Sequence, residues 1–222
     1  SNYIYLVKEN SLSVYDLNFN LIKKNELNIS ASYYDTNRKS LFLVSENKIF
    51  SYTDNTFNEL KLYGIQDSSD NEFDLQKTVI TSFVKINNLL VLGTQKGQLI
   101  FYISTGKNNY KYREKIDVHF TEITKLFFDK YNKILYSSSY DNQLLKYNLF
   151  ENDSLDIKNA NNNLLSLEGH QKWVWDINEY IDYQGKRRLL TSDENGNLIS
   201  WFLNQKDLVE KVSELQEREK IK

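Results

Sequence analysis

The sequence predicts an all-β protein assembled from a repeated antiparallel unit and ending in a short helix, and three observations predict it. Leu167 to Leu203 reads as three short strands joined by turns rich in Gly, Asn and Asp, with Val174 and Ile177 on the first, Leu189-Leu190 on the second and Trp201 closing the third. The ending of that third strand recurs four times upstream with Tyr in place of Trp. It is found at Ser11-Leu-Ser-Val-Tyr15, Lys48-Ile-Phe-Ser-Tyr52, Gln98-Leu-Ile-Phe-Tyr102 and Gln143-Leu-Leu-Lys-Tyr147, beside Asn197-Leu-Ile-Ser-Trp201. The steps between these aromatics are 37, 50, 45 and 54 residues, a period that marks a repeat architecture with insertions.

Each ending has an apolar residue three before the aromatic (Leu12, Ile49, Leu99, Leu144, Leu198). Each is preceded by a small or polar residue (Asn10, Asn47, Gly97, Asn142, Gly196), which a tight hairpin takes where φ is positive. At the start, Tyr3 to Val7 and Leu12 to Tyr15 predict a hairpin and Asn20 to Leu27 a third strand, with no innermost strand ahead of them. The longer steps point to surface insertions at Tyr63 to Lys77 and at Glu151 to Asn163. At the end, Leu203 runs into a helix instead of an outer strand. Asn204 is its N-cap, Asp207 stands at the third helical position, and Leu208, Val212 and Leu215 form a short apolar stripe.

Leu167 to Leu203 resembles a WD-repeat blade, whose signature is a Gly-His pair near the start, here Gly169-His170, and a Trp-Asp pair closing the third strand. Trp201 is followed by Phe202, so the second half of that pair is missing. The resemblance spans most of the chain and implies a WD-repeat β-propeller over residues 1–203, with a helical tail over 204–222. About four and a half to five blades are visible, expected to belong to a ring of seven whose closing strand comes from upstream of Ser1; a compact five-bladed ring is the alternative. The lack of any Met agrees with an expected excision from something longer.

WD blades often carry a buried relay of His, Ser, Asp and Trp. Matched residue by residue, the resemblance implies such a relay from His119, Ser139 and Asp141, with Tyr147 at the Trp position. In the last blade His170 and Trp201 match, while Asp193 stands at the expected Ser position and Asn195 at the Asp position. Glu46 and Lys96 stand at the Asp position of the second and third blades, so the relay is expected to be complete at most once.

Other motifs dissolve when their spacing is checked. His119, Ser139 and Asp141 superficially match a hydrolase triad, but the repeat offsets already account for them, so no catalytic residue is expected. Gly106-Lys107 lacks the first Gly and the final Ser/Thr of a phosphate loop. Asp67 to Asp74 lacks the alternate spacing and central Gly of a calcium loop. Tyr110 to Lys115 mixes aromatics and bases, as a single-strand nucleic-acid platform does, but reads as an outer, solvent-facing strand whose charges discourage edge pairing. Lys186-Arg187-Arg188 reads as a solvated basic turn. Alternation puts Trp173 and Trp175 on the face opposite Val174, either packed between blades or left as a candidate partner contact.

Composition narrows the function further. With 28 basic and 30 acidic residues the chain carries no polyanion-binding excess, so nucleic acid is not the expected partner. Without Cys, and with both His assigned to the relay, no disulfide, metal site or cofactor is expected. No apolar run approaches membrane-spanning length and no signal peptide opens the chain, so the protein is expected to be soluble and cytoplasmic. Asn28-Ile-Ser30 and Asn152-Asp-Ser154 then match the glycosylation pattern by chance.

The expected function is non-catalytic protein binding, because propellers of this kind present loops on a rigid platform. Asn195 to Gln216, with its Asp-Leu-Val-Glu-Lys-Val helix, is similar to the end of prokaryotic STAND-type signalling ATPases. Their C-terminal WD repeats act as sensor or autoinhibitory domains behind a P-loop NTPase, which implies a place in signalling or defence and oligomers formed through the parent protein. A constitutive scaffold subunit is the alternative.

Overall fold

Twenty strands and one helix make up the regular structure among the described residues of the computed structural model, which are 3–35, 39–53, 56–64, 78–151, 154–157 and 164–220. Both expected insertions, and with them the acidic run Asp67 to Asp74 and Asn152-Asp153, fall largely or wholly outside the described residues. The chain divides into two compact units, Ser1–Leu126 and Phe127–Lys222. That division falls inside the expected 1–203 segment, and the helix groups with the second unit.

In the first unit, β1 (Tyr3–Lys8), β2 (Ser11–Asp16) and β3 (Leu21–Glu26) form an antiparallel meander. Two further meanders follow: β4 (Ile29–Asp35), β5 (Ser40–Ser45), β6 (Lys48–Thr53) and β7 (Thr56–Tyr63), then β8 (Ile80–Ile86), β9 (Leu89–Thr94), β10 (Gln98–Gly106) and β11 (Asn109–Asp117). The central strands β5 and β9 are buried along their whole length. A strand covered on both faces reads as a continuous apolar run, which is why Leu41 to Val44 and Leu89 to Leu92 do not alternate. Glu46 (φ 50°) and Asn47 (φ 61°) join β5 to β6 with both residues left-handed, the geometry of a two-residue turn matched to strand twist.

The two four-stranded meanders merge into one eight-stranded sheet because β7 and β11 pair in parallel, with Asn109, Tyr110 and Lys111 opposite Lys61, Leu62 and Tyr63. The edge of the basic-aromatic strand is therefore occupied over these residues, whereas the sequence predicts charges that keep it free. A core of Phe42, Val44, Ile49, Leu60, Ile80, Phe83, Leu90, Leu92, Ile100, Tyr102 and Tyr110 fills this sheet. Each fully buried aliphatic side chain here contributes about 1.5–3 kcal/mol, and a one-residue slip would expose its whole face, so packing fixes the register.

β12 (Ile123–Asp129) runs across the division and heads the sheet β12-β13-β14-β17, with β13 (Ile134–Ser139), β14 (Leu144–Asn148) and β17 (Leu165–Leu167). A small hairpin, β15 (Phe150–Glu151) with β16 (Ser154–Leu155), lies between β14 and β17 in sequence. The last sheet has three strands, β18 (Val174–Ile181), β19 (Arg187–Asp193) and β20 (Leu198–Phe202). The helix α1 (Gln205–Lys220) follows directly. Asn204 caps it by accepting the Lys206 N–H at 2.9 Å, and Asp207 lies in the first turn near the positive helix end. Leu208 and Val212 of the expected stripe are each 45% exposed. No helix among the described residues is long and apolar enough to cross a membrane.

Candidate protein-binding site

The strand pairings put four of the third-strand aromatics in equivalent places. Tyr52, Tyr102, Tyr147 and Trp201 stand directly opposite Leu41, Leu90, Leu135 and Leu189 on the neighbouring strand. Side chains two residues further along that strand share the same face and lie on the diagonal, within reach of a long aromatic. Those residues are Leu43, Leu92, Ser137 and Thr191.

In the last sheet this geometry completes a relay. Trp201 Nε1–H donates to Thr191 Oγ1 at 2.8 Å, Thr191 Oγ1 lies 2.6 Å from His170 Nε2, and His170 Nδ1 lies 3.1 Å from Asp193 Oδ2. A neutral imidazole with its hydrogen on Nδ1 satisfies every group: indole to hydroxyl, hydroxyl to Nε2, Nδ1–H to carboxylate. Asp193 Oδ1 also accepts the Asn195 and Asn197 amides at 3.1 and 2.9 Å. Burial pushes the Asp193 carboxyl up, but hydrogen bonds from Asn197, His170 and Asn195 outweigh it and hold the group at about 2.

The relay register thus differs from the sequence expectation by two residues. Thr191 stands at the Ser position and Asp193 at the Asp position, while Asn195 is a turn residue that donates its amide to Asp193. Counting back from Trp201 misses this, whereas counting forward from Leu189 finds it. In the preceding sheet the Tyr147 hydroxyl meets Ser137 Oγ at 2.9 Å, so the serine facing the aromatic is Ser137 and not Ser139. Ser139 is fully buried and its Oγ accepts the Asp141 N–H at 3.2 Å; Asp141 Oδ1 in turn accepts the Gln143 N–H at 3.1 Å. His119 belongs to the first unit and is buried, with its N–H donating to Gly97 O at 3.0 Å. Gly97 (φ 76°) has no room for a side chain, since a Cβ there would lie 2.1 Å from His119 O.

The relay stands behind an exposed aromatic cluster. Gly169 presses on the Trp201 ring so closely that a Cβ would meet Cη2 at 2.9 Å, and Glu194 N–H donates to Trp173 O at 3.0 Å. The loop from Gly169 to Trp173 is therefore held from below by the same turn that Asp193 organises. Trp173 and Trp175 remain 43% and 45% exposed. They meet Tyr140, with ring centroids 5.0 and 5.2 Å away, and lie 6.4 Å from each other. The tryptophans thus pack against an aromatic of the neighbouring sheet and still face solvent. Tyr140, missed in the sequence, is betrayed only by being an aromatic in the turn after Ser139.

The basic run is not a solvated turn. Lys186 pairs with Glu210 at 2.7 Å and Asp207 at 3.3 Å on α1. Arg187 pairs with the buried Asp129 at 2.7 Å and with Glu179, and covers the Tyr131 ring at 4.0 Å. Arg188 pairs with Asp182 at 2.9 Å and lies 3.9 Å over Phe202. All three extend along the start of β19, where carboxylates from β12, β18 and α1 and from the turn before β19 converge. No group of three or more His, Cys, Asp or Glu among the described residues is arranged to hold a metal ion.

No known protein family matches the chain, and no curated protein is similar to it. Among solved structures it is similar to the computationally designed Ika4 protein, with 18% identity over 81% of this chain and 94% of that one and a TM-score of 0.50. It is likewise similar to the computationally designed Ika8 protein, with 15% identity over 92% of this chain and 69% of that one and a TM-score of 0.52. At such identities the likeness concerns the fold alone.

Proposed function

We propose that this chain is a non-catalytic protein-binding module, built as part of a WD-repeat β-propeller and serving as a cytoplasmic sensor or autoinhibitory element of a larger signalling protein. The observation that carries the reading is the half-exposed cluster of Tyr140, Trp173 and Trp175, held by a buried relay. Tryptophan and tyrosine on a rigid support offer large apolar contact area at small entropic cost, and such residues dominate binding energy at protein interfaces. The propeller assignment is supported by successive antiparallel meanders, the recurring third-strand aromatics and the Asp193-His170-Thr191-Trp201 relay. Full burial of Ser139 speaks against its use as a nucleophile.

The test is quantitative affinity purification of the native full-length protein from its source, beside a Trp173→Ala/Trp175→Ala variant with an unchanged melting temperature. Partners lost from the variant are expected. Partners that associate only on stimulation, together with stimulated ATP turnover by the parent protein, fit the sensor. Stoichiometric partners present under all conditions fit the alternative, a constitutive scaffold subunit. Identical partners for both proteins would remove the aromatic cluster from the function.

A further inference from the structure

The partner of the aromatic cluster can be given a chemistry, an inference that rests on reading that cluster as a protein contact. Two places in the second unit show how this chain holds a guanidinium, between an aromatic ring and a carboxylate. Arg187 covers the Tyr131 ring at 4.0 Å and pairs with Asp129 at 2.7 Å; Arg188 lies 3.9 Å over Phe202 and pairs with Asp182 at 2.9 Å. In both the cation sits over the ring and gives its N–H to the oxygen, two attractions that a flat, weakly hydrated group takes together.

The cluster of Tyr140, Trp173 and Trp175 has the same two ingredients at the surface. Tryptophan is the strongest cation-binding ring, and both tryptophans are open enough to be reached from outside. A β-bulge turns Trp175 outward: Val174 pairs with Asp193 and Asp176 with Ser192, leaving Trp175 as the extra residue, while Val174 and Ile177 beside it are fully buried. The carboxylates lie in the two segments that frame the rings. Glu168 opens the loop that ends at Trp173, and Glu194 is the residue whose N–H holds Trp173 O; both are exposed. Behind them Asp193 is 5% exposed and ionised, and its partners are amides and a neutral imidazole. A buried charge is weakly screened, so its field reaches the surface loop. Lys172, exposed in the same loop, offsets one of these three charges.

We infer that the aromatic cluster receives an arginine side chain from a basic segment of the partner protein, the guanidinium lying against the tryptophan rings and Glu194 accepting its N–H. Arginine suits the site better than lysine because its planar group serves a ring and a carboxylate at once. The negative loop also steers a basic segment toward the rings.

The experiment selects from a displayed library of random heptapeptides on the immobilised chain, in parallel with Trp173→Ala/Trp175→Ala. Peptides retained by the wild type and lost by the double variant are expected to carry arginine at one fixed position. Synthesised free, the tightest of them is expected to bind about tenfold more weakly when that arginine is replaced by citrulline, its neutral isostere, and about three- to tenfold more weakly to Glu194→Gln. Glu194→Gln changes an exposed side chain and keeps the backbone amide that holds Trp173, so its melting temperature is expected to match the wild type. Binding of the parent peptide is expected to fall as salt rises. Tryptophan-dependent peptides that tolerate citrulline, or that bind Glu194→Gln as tightly as the wild type, overturn the arginine assignment and leave the aromatic contact standing. A selection that yields no tryptophan-dependent peptide overturns both.

Discussion

Tyr102 in the first unit and Tyr147 in the second occupy equivalent places in their sheets, each opposite a leucine and each fully buried. Their hydroxyls meet different fates. Tyr147 finds Ser137 on the diagonal, as Trp201 finds Thr191, whereas Tyr102 faces Leu92 and its hydroxyl has no hydrogen-bond partner among the described residues. Burial raises the pKa of both phenols, and at Tyr147 the bond to Ser137 works against that rise. At Tyr102 the aromatic thus serves for its packing area, with the Tyr112 ring edge-on at 6.0 Å. The second unit uses the aromatic to satisfy a polar chain that runs to a surface loop. One repeated position therefore serves two purposes, and the residue two along on the neighbouring strand decides which.

The largest effect expected from this difference is at Thr191. Thr191→Val keeps the shape but orphans the Trp201 N–H and a His170 nitrogen, and should cost about 3 kcal/mol in denaturant unfolding. A cost below about 1 kcal/mol would mean that the relay is incidental to the packing. Acid should act on the same chain. The folded Asp193 carboxyl lies below its ordinary value of 3.8, at about 2. A depressed folded pKa contributes stability that is present above the ordinary value and lost as pH falls through the folded one. Thermal melts should therefore drop between about pH 4 and pH 2 in the wild type and less steeply in Asp193→Asn.

The tyrosine pair sharpens the comparison further, since one substitution should change sign between the units. Tyr147→Phe should destabilise by about 1 kcal/mol through the lost bond to Ser137, while Tyr102→Phe should be neutral or stabilising by up to about 1 kcal/mol, because it removes an unsatisfied buried hydroxyl. Equal losses at both positions would erase the distinction. Smallest of all, Trp175→Ala should shift stability by no more than roughly 0.5–1 kcal/mol, since the ring is already half in water.

Much of this was legible in the residues. All five recurring aromatics and the apolar residue three before each lie in strands, four of the aromatics sit in equivalent places, and Asn204 caps the helix, because apolar spacing and turn chemistry are local signals. The relay was legible only to within two residues. Whether Thr191 or Asp193 faces Trp201 depends on strand register, which the turn from Asp193 to Asn197 sets through hydrogen bonds that no spacing rule contains. Two partners of the basic run, Asp129 for Arg187 and Glu210 for Lys186, were invisible for a related reason: they are distant in sequence and only the folded chain brings them near. The parallel pairing of Tyr110 with Leu62 likewise joins two strands 48 residues apart, each of which looks like a solvent-facing edge on its own.

That pairing also bears on how the protein survives in a crowded solution. An outer strand is ordinarily a template on which another chain can polymerise, and charge or brevity is the common protection. Here β7 and β11 cover part of each other's edge, including the aromatic stretch around Tyr110. The rate at which this part of the molecule aggregates should then follow how often one short ladder opens, an event far more frequent than global unfolding.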